Sequence, residues 1–405
     1  MPSPVYDTAL AARDLGLWAI DTIVGAVRRS GTPTADPSSA DQVLMIRFDA
    51  IGDFVVWLDA AEGLRDYYED AEITLVGNAL WTPLAERLPF FDRVVPVKPD
   101  RFRHQLAYRR DILQQLMQTH YKDALHVVHR RSGRFSDADA IMRAISADRK
   151  IASQGDPFTG WRERWSRAWY TDILSVNEQA MELRRNAEFV REVGHRSFQA
   201  GLPTLPPSSL PSVNDLPEAY YVLFPGAGAD YRRWPCERFA AIAERIEQRT
   251  GWPGVICGGP GEEALGAQIC ESADARLHNW IGRTSLPEFA SVIANGKLLL
   301  GNETSAVHIA AAVATPSVCI LGGGHYGRFM PYDVEYAPSD RPVPESVIHE
   351  MPCFGCDWNC CFDVPDGAQT PCVERVTTED VWRRVEEVLA GLNGSLSSAS
   401  VANPK

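Results

Sequence analysis

The stretch from 297 to 324 constrains the fold most, because it joins a strand, a polar turn, an apolar helix and a second strand. The apolar segments Leu298–Leu300 and Ser317–Leu321 are too short for independent helices and predict buried strands. Between them, Ser305–Ala314 carries small or apolar residues on nearly every face, which is typical of a helix packed against a parallel sheet. The stretch is therefore predicted to form a strand–helix–strand crossover.

The polar turn of this crossover is the first candidate ligand site. In parallel sheets ligands lie beyond the carboxyl ends of the strands, and the first turn of the following helix presents backbone N–H groups to anions. We therefore expect a ligand beside Asn302, Glu303, Thr304 and Ser305. His308 follows on the first turns of the same helix. Glu303 alone also fits a helix cap and His308 alone a core residue, but their joint placement favours a binding site.

The chain of 405 residues is long enough for two domains, since single hydrophobic cores stop growing at roughly 250–300 residues. The proline-rich run 201–212 predicts a boundary between an N-terminal domain at 41–205 and a C-terminal domain at 206–376. The remaining segments are predicted to be an accessory helix and linker at 1–40, an amphipathic helix at 377–392 and a disordered tail at 393–405.

Each half opens with a strand, a glycine-bearing turn and a helix, which is the opening unit of a doubly wound sheet. In the first half, the strand Val43–Phe48 leads into Asp49–Asp53 and a helical pattern. In the second half, the strand Tyr220–Phe224 leads into the loop Pro225–Pro235. Further strands alternate with helical patterns, so the predicted class is α/β, with two Rossmann-like doubly wound domains.

The chain is acidic, with a formal net charge of −13, which argues against nucleic acid as a main partner. Arg130, Arg131 and Arg134 nevertheless form a basic patch, which fits either solvated surface or a binding surface for an anionic acceptor. The apolar segment Leu15–Val27 is interrupted by Asp21 and falls short of the about 20 residues that cross a bilayer. No signal-peptide pattern surrounds it, so we expect a cytoplasmic protein.

Two loops carry residues suited to phosphate binding and proton transfer. Gly226 and Gly228 let the backbone approach a phosphate, and Arg232 supplies a fixed fork of donors for phosphate oxygens. Asp53 begins the first helix of the N-terminal domain, where the helix dipole favours the ionised carboxylate that a general base requires. Surface charge at a helix entrance would also explain Arg232, and a helix cap would also explain Asp53.

All nine cysteines follow residue 235, and five of them lie in the loop-rich segment 351–373. Cys353, Cys356, Cys360 and Cys372 provide four thiols, which is enough for a tetrahedral zinc or iron site. Reduced free thiols are an alternative, and disulfides are less favoured in the absence of a secretion signal.

Five segments follow, in order, the pattern of glycosyltransferase family 9, the ADP-heptose:lipopolysaccharide heptosyltransferases. They are IRFDAIGDFVVWL, FPGAGADYRRWPCERFAAIA, CGGPGEE, WIGRTSLPEFASVIA and LLGNETSAVHIAAAVATPSVCILGG. The resemblance implies a GT-B fold, in which two Rossmann-like domains face each other across a cleft. The donor nucleotide would bind to the second domain and the acceptor to the first. In this family the last helix often crosses back to the first domain.

The resemblance also implies residue roles. Asp53 matches the proposed catalytic base, Arg232 stands where the family usually has a lysine that holds the donor phosphates, and Glu262 resembles the acidic residue near the ribose. In the turn, Glu303 replaces the usual aspartate that contacts sugar hydroxyls, and Ser305 replaces a glycine. The predicted donor site therefore consists of Gly226, Gly228, Arg232, Glu262, Glu303, Thr304, Ser305, Ala306 and His308.

The implied reaction is an inverting transfer of heptose or a related sugar from a nucleotide-diphosphate donor, ADP-linked by resemblance, to a hydroxyl of lipopolysaccharide or another envelope glycan. No cofactor is implied at the transfer centre. Some relatives that glycosylate autotransporter proteins carry a cysteine-ligated iron finger, which the cysteine cluster resembles. A protein glycosyltransferase of the same fold and a non-catalytic nucleotide-sugar-binding scaffold are the alternatives. Peripheral contact with the inner membrane and homo-oligomer formation are left open.

Overall fold

The computed structural model describes residues 41–128, 136–154 and 168–399, with side chains described up to residue 392. The described chain forms two compact units. The first contains the described residues up to 54, between 60 and 178, and between 185 and 198, and the second contains all others. The predicted accessory segment 1–40 and the basic patch of Arg130, Arg131 and Arg134 lie outside the described residues.

The first unit is built on a six-stranded parallel sheet in the order β3-β2-β1-β4-β5-β6. Its strands are β1 (Gln42–Arg47), β2 (Glu72–Asn78), β3 (Arg93–Val97), β4 (His120–His126), β5 (Ser146–Ser153) and β6 (Asp172–Leu174). The helices of this half of the chain are α1 (Ile51–Val56), α2 (Leu58–Tyr67), α3 (Thr82–Ala85), α4 (Pro99–His104), α5 (Leu106–Leu116), α6 (Asp137–Ala144) and α7 (Glu182–Val193).

The second unit repeats this architecture in the order β12-β11-β10-β7-β8-β9, again with all pairs parallel. Its strands are β7 (Tyr221–Phe224), β8 (Gly254–Ile256), β9 (Leu277–Asn279), β10 (Leu299–Asn302), β11 (Ser317–Ile320) and β12 (Glu345–Val347). Its helices are α8 (Cys236–Thr250), α9 (Glu263–Ser272), α10 (Leu286–Asn295), α11 (Ser305–Ala312), α12 (Pro371–Glu374) and α13 (Thr378–Ala399).

Both sheets have the strand order of a Rossmann fold, in which the chain runs outward in two opposite directions from a central pair of strands. In the second unit this pair is β7 and β10, with Gly301 opposite Phe224. A Cβ atom at Gly301 would lie only 3.0 Å from the carbonyl oxygen of Phe224, so a glycine suits this close approach. The predicted α/β class with two doubly wound sheets is confirmed.

The predicted crossover is also confirmed, with slightly different limits. Leu298–Leu300 corresponds to β10, and Ser317–Leu321 corresponds to β11. The helix between them ends at Ala312, two residues earlier than predicted, and Ala314 takes a left-handed conformation with φ of 59°. All of its residues from Ala306 to Ala312 are buried, as the apolar sequence on every face requires.

Helix α13 packs on the second unit. Val381, Val385 and Leu389 recur at every fourth position and are buried with the core residues of that unit. The sequence predicted a disordered tail from 393, but the backbone is helical as far as Ala399. The isolated glycines 391 and 394 each cost a helix only about 1 kcal/mol, and no proline lies between Thr378, where this helix begins, and Pro404.

Candidate functional site

Asn302 fixes the loop after β7 to the end of β10. Its fully buried side chain donates from Nδ2 to the carbonyl oxygens of Pro225, at 2.7 Å, and Gly226, at 3.3 Å. Its Oδ1 accepts the backbone N–H of Trp234 at 3.1 Å. Both ends of the loop 225–234 are therefore held at the point where the strand order reverses, which is where doubly wound sheets bind ligands.

Helix α11 points its N-terminus at the same place. Thr304 precedes the helix with an extended backbone, with φ of −149° and ψ of 179°, so Ser305 is the first helical residue. The first N–H groups of a helix, here those of Ser305 and Ala306, have no acceptor within the helix. Together with the positive end of the helix dipole they make this turn suitable for an anion.

Arg232 of the loop lies beside this turn, as predicted. Its Nη2 donates to the carbonyl oxygen of Glu303 at 3.4 Å and lies 3.6 Å from Oε2 of the same residue. The Nε of Arg232 and the Oε2 of Glu303 are buried and lack a hydrogen-bond partner among the described residues. An unsatisfied buried polar group costs about 1–3 kcal/mol, so the arrangement favours a ligand that supplies the partner.

Glu303 is a buried carboxyl group between two cations. Burial raises its pKa to about 7, and the charges of Arg232 and Arg328 partly oppose this rise. Near neutral pH the side chain therefore exists both as an acid, which donates a hydrogen bond, and as a carboxylate, which accepts them. Both forms are suited to contact with sugar hydroxyls.

Glu262 lies against the glycine loop. A Cβ atom at Gly226 would come 2.5 Å from both carboxylate oxygens of Glu262, so a side chain at this position would displace the Glu262 carboxylate. The Oε1 of Glu262 is also 3.6 Å from Nη2 of Arg233. A Cβ atom at Gly228 would lie 3.4 Å from Nη1 of Arg232. The structure thus brings the predicted glycines, Glu262 and Arg232 together.

His308 is buried on the second turn of α11 and stacks parallel to Tyr332, with ring centroids 5.8 Å apart. Its Nδ1 is 2.8 Å from the Tyr332 hydroxyl. Burial lowers the pKa of His308 to about 4, so the imidazole is neutral at pH 7. A neutral ring with one nitrogen engaged by tyrosine presents its other nitrogen as a hydrogen-bonding group rather than as a cation.

Three further side chains complete the surroundings of the turn, and the sequence analysis did not predict them. Arg328 acts on the charge of Glu303, and its Nε is buried without a hydrogen-bond partner in the described part of the chain. Trp358 stacks on Arg232, and Tyr332 orients His308. No motif marks these residues. The only signal, for Arg328 and Tyr332, was the mixture of basic and aromatic residues in HYGRFMPY at 325–332.

Asp53, the predicted base, belongs to the first unit and lies half-buried in the first turn of α1. The fully buried Arg47 at the end of β1 organises this turn. Its guanidinium forms an ion pair with Asp49 at 2.6 Å and donates to the carbonyl oxygens of Asp53 and Val127, each at 3.0 Å. Sequence analysis missed Arg47, although an arginine inside the apolar run VLMIRF was a visible signal.

The four predicted metal ligands, Cys353, Cys356, Cys360 and Cys372, line one small cavity. Cys353 forms a hydrogen bond with Cys361, and Cys372 donates to the Thr370 hydroxyl at 3.4 Å. Throughout the described residues, no three His, Cys, Asp or Glu side chains are grouped so as to hold a metal ion. The nine cysteines all lie in the described part and are all free.

Residues 174–350 match the family model of glycosyltransferase family 9 (heptosyltransferase). These residues include β7 to β12 and all predicted donor-site residues. This stretch of the chain therefore resembles family 9 sequences. Lipopolysaccharide heptosyltransferase 3 of Escherichia coli K12 is 28% identical over 118 residues, or 28% of this chain and 33% of that protein. Lipopolysaccharide heptosyltransferase 2 of the same strain is 21% identical over 69% of this chain and 82% of that protein.

Solved structures agree on the fold of the chain. E. coli heptosyltransferase WaaC with ADP has a TM-score of 0.64 at 17% identity, covering 86% of this chain and 99% of that chain. E. coli ADP-heptose LPS heptosyltransferase II has a TM-score of 0.63 at 16% identity, covering 87% and 99%. The sequence match to heptosyltransferase 3 spans only about a third of that relative. Among the described helices, none combines the length and the apolar composition that a membrane span requires.

Proposed function

We propose that the chain is an inverting glycosyltransferase, which transfers heptose or a related sugar from an ADP-linked donor to a hydroxyl of lipopolysaccharide or another envelope glycan. The observation that supports this most is the pairing of Arg232 with the N-terminus of α11 at the switch point of a family 9 sheet. A buried Nε without a partner and free helical N–H groups are donors suited to a diphosphate.

In this proposal the diphosphate binds between Arg232 and the first turn of α11. Glu262 hydrogen-bonds the ribose, and Glu303 and neutral His308 hydrogen-bond sugar hydroxyls. The structure of E. coli heptosyltransferase WaaC was solved with ADP, which supports adenine as the base. Glu303 carries a longer side chain than the aspartate that the family resemblance predicts, so the sugar is held one bond further from the turn.

The transfer step requires one base and one stabilised leaving group. Asp53 accepts the proton of the acceptor hydroxyl, whose oxygen attacks the anomeric carbon while the nucleoside diphosphate leaves with the electrons of the broken C–O bond. Negative charge then grows on the leaving phosphate. Arg232 and the N–H groups of Ser305 and Ala306 stabilise this charge, because they are fixed before the reaction begins.

The acceptor site is assigned from the charge of a basic segment, and the compartment is assigned from the free cysteines. We assign the anionic acceptor to the basic residues Arg130, Arg131 and Arg134, which offer several cations within five residues. Nine free cysteines fit the reducing cytoplasm, so we place the reaction there, with the glycolipid acceptor reached from the inner face of the membrane. Peripheral membrane contact and a homo-oligomer belong to the same proposal.

Calorimetric titration of the purified chain with ADP, UDP, GDP and CMP tests the donor site. We expect ADP to bind, and Arg232→Ala to weaken it about tenfold to 150-fold, the range for a charged hydrogen bond. Arg245→Ala is the matched control, because Arg245 pairs with Glu379 on the surface. Asp53→Asn should bind ADP normally but lose transfer from ADP-heptose to a lipopolysaccharide acceptor.

The outcomes separate the candidate functions. If no nucleotide binds at millimolar concentration, the donor-site assignment is wrong. A chain that binds ADP but neither hydrolyses nor transfers the sugar is a nucleotide-sugar-binding scaffold. Transfer to an autotransporter protein but not to a glycan would identify a protein glycosyltransferase. Transfer that continues in Asp53→Asn would show that another group is the base.

A structural zinc or iron at Cys353, Cys356, Cys360 and Cys372 stays a prediction, and the arrangement of these thiols gives it no support. No step of the proposed reaction depends on it. Elemental analysis of the purified chain tests it directly. About one metal ion per chain, lost in Cys356→Ser, would establish the site, and a metal-free folded chain would exclude it.

A further inference from the structure

The cysteine-rich segment 351–373 has a docking platform in the three glycines that follow β11. A Cβ atom at Gly323 would lie 2.2 Å from the ring of Phe354, and one at Gly324 would lie 2.3 Å from the indole of Trp358. The backbone N–H groups of Gly355 and Asp357 donate to the carbonyl oxygens of Gly323 and Gly324, at 2.8 and 2.9 Å. The glycines therefore let the segment lie directly on the carboxyl end of the sheet.

The docked segment contains unusual backbone geometry at one point. Asp357 and Trp358 both have left-handed conformations, with φ of 51° and 61°. Such conformations are unfavourable for residues other than glycine and persist only where surrounding contacts hold them. Strain of this kind is concentrated at functional sites, so what the Trp358 side chain contacts is informative.

The indole of Trp358 lies against Arg232. The guanidinium carbon is 4.4 Å from the centroid of the indole, within the range of a cation–π contact. The indole is itself held, because its Nε1–H donates to Nδ1 of His325 at 3.3 Å. The other ring nitrogen of His325, Nε2, lies 3.1 Å from Oδ1 of Asp357. One neutral tautomer, with its hydrogen on Nε2, satisfies both contacts, and burial lowers the pKa of His325 to about 4.

This contact fixes the plane of the guanidinium. With one face on the indole, the N–H groups of Arg232 extend sideways. Nη2 reaches the carbonyl oxygen of Glu303, while the buried Nε has no hydrogen-bond partner among the described residues. The free Nε–H of Arg232 therefore lies on the edge of a guanidinium plane that the indole orients. A guanidinium binds phosphate through the N–H groups in its plane, so binding depends on this orientation.

We propose that Trp358 is a positioning residue that holds Arg232 in the orientation that binds the donor diphosphate, which makes the cysteine-rich segment part of the donor site. The inference rests on the proposed function. It assigns to this segment a role in nucleotide binding that requires no metal.

Calorimetric titration with ADP tests this on the full-length chain with Trp358→Leu and Trp358→Phe. Leucine removes the aromatic face, and we expect about threefold to thirtyfold weaker ADP binding, the range of a cation–π contact. Phenylalanine keeps a face for the guanidinium and should restore affinity to within about threefold of the wild type. Trp382→Leu is the matched control. Trp382 of α13 stacks with Arg245 of α8, so this substitution removes a similar contact elsewhere and should leave ADP affinity unchanged.

A double-mutant cycle with Arg232→Ala distinguishes positioning from general damage. Without the guanidinium, Trp358→Leu should change ADP affinity by less than about twofold, because the two residues act as a unit. Equal losses from Trp358→Leu with and without Arg232 overturn the inference, as does wild-type affinity in Trp358→Leu or failure of phenylalanine to restore binding. A wild-type chain that does not bind ADP overturns the proposed function itself, and the inference with it.

Discussion

Protonation of Glu303 is expected to be coupled to nucleotide binding. Burial raises its pKa to about 7, and a diphosphate placed beside it adds negative charge that raises the pKa further. We therefore predict that ADP binding is accompanied by proton uptake between pH 7 and 8. Affinity should fall as the pH rises through this range, by at most about tenfold per pH unit for one proton.

Titration in two buffers of different ionisation enthalpy measures this proton uptake. Glu303→Gln should abolish it, whereas Glu288→Gln, which alters a surface capping box on α10, should retain it. Protonation of ADP itself is common to all three chains and cancels in the comparison. The same uptake in Glu303→Gln would assign the proton to another group.

The raised pKa of Glu303 also makes the stability of the fold depend on pH. Its pKa in the folded chain, about 7, lies above the ordinary value of 4.5, so its protonated form is favoured by folding. The contribution to stability is complete below about pH 4.5 and is lost as the pH rises through 7. His308 acts in the opposite sense. Its pKa is lowered to about 4, so its contribution is lost as the pH falls from 6.5 towards 4.

Sequence patterns identified the residues of the site that lie at fixed offsets from a strand end. Gly226, Arg232 and Glu303 follow buried strands, and in a parallel sheet all such positions lie at one edge. Trp358 and Arg328 lie in irregular segments after β11, where no periodicity relates a residue to the sheet. Their place depends on backbone docking onto glycines, which is a tertiary contact that single-sequence reasoning does not contain.

At the scale of elements, the turn between β1 and α1 depends on one buried side chain. Arg47 joins Asp49 and the carbonyl oxygens of Asp53 and Val127, which ties the turn to the end of β4. We predict that Arg47→Met lowers the free energy of unfolding by about 3 kcal/mol, because it leaves the partly buried Asp49 carboxylate without its partner. Transfer activity should fall with it, since the turn carries Asp53.

Urea unfolding of the first unit, followed through hydrogen exchange at the indole Nε1–H of Trp81 as a local probe, measures this loss. Trp81 is suitable because its Nε1–H donates to the carbonyl oxygen of Asp49 at 3.0 Å. Arg110→Met is the control, since Arg110 is exposed beside Asp111, and its effect should stay within about 0.5 kcal/mol. An equally small effect of Arg47→Met would mean that the turn is held by other contacts.

Strands were predictable where they are apolar and central. Both β1 and β7 were predicted from their apolar runs. The sequence analysis missed four strands. They are the edge strands β6, β9 and β12, and β5, the neighbour of β6. Sequences such as SADRKIAS and LHN have neither an apolar run nor regular alternation. Pairing with a neighbouring strand makes them strands, and that pairing is not encoded locally.

At the scale of the whole molecule, the two sheets have separate cores. Leu44, Ile46 and Phe102 belong to the cluster of the first unit, whereas Leu223, Phe239 and Val318 belong to the cluster of the second. The sequence predicted this division from chain length and from the two opening strand–turn–helix units. The donor-site residues all lie in the second unit, and Asp53 lies in the first. Donor binding and proton transfer are thus assigned to different cores.

Separate cores predict that nucleotide stabilises one unit more than the other. ADP at about 100 times its Kd should raise the free energy of unfolding of the second unit by about 2.7 kcal/mol. For a unit of this size that corresponds to an increase of about 5–11 °C in its Tm. Scanning calorimetry should therefore show two transitions, of which ADP moves one. In Arg232→Ala the same ADP concentration should produce a much smaller shift. If ADP moves both transitions equally, unfolding of the two units is coupled, and the donor site cannot be assigned to an independently stable core.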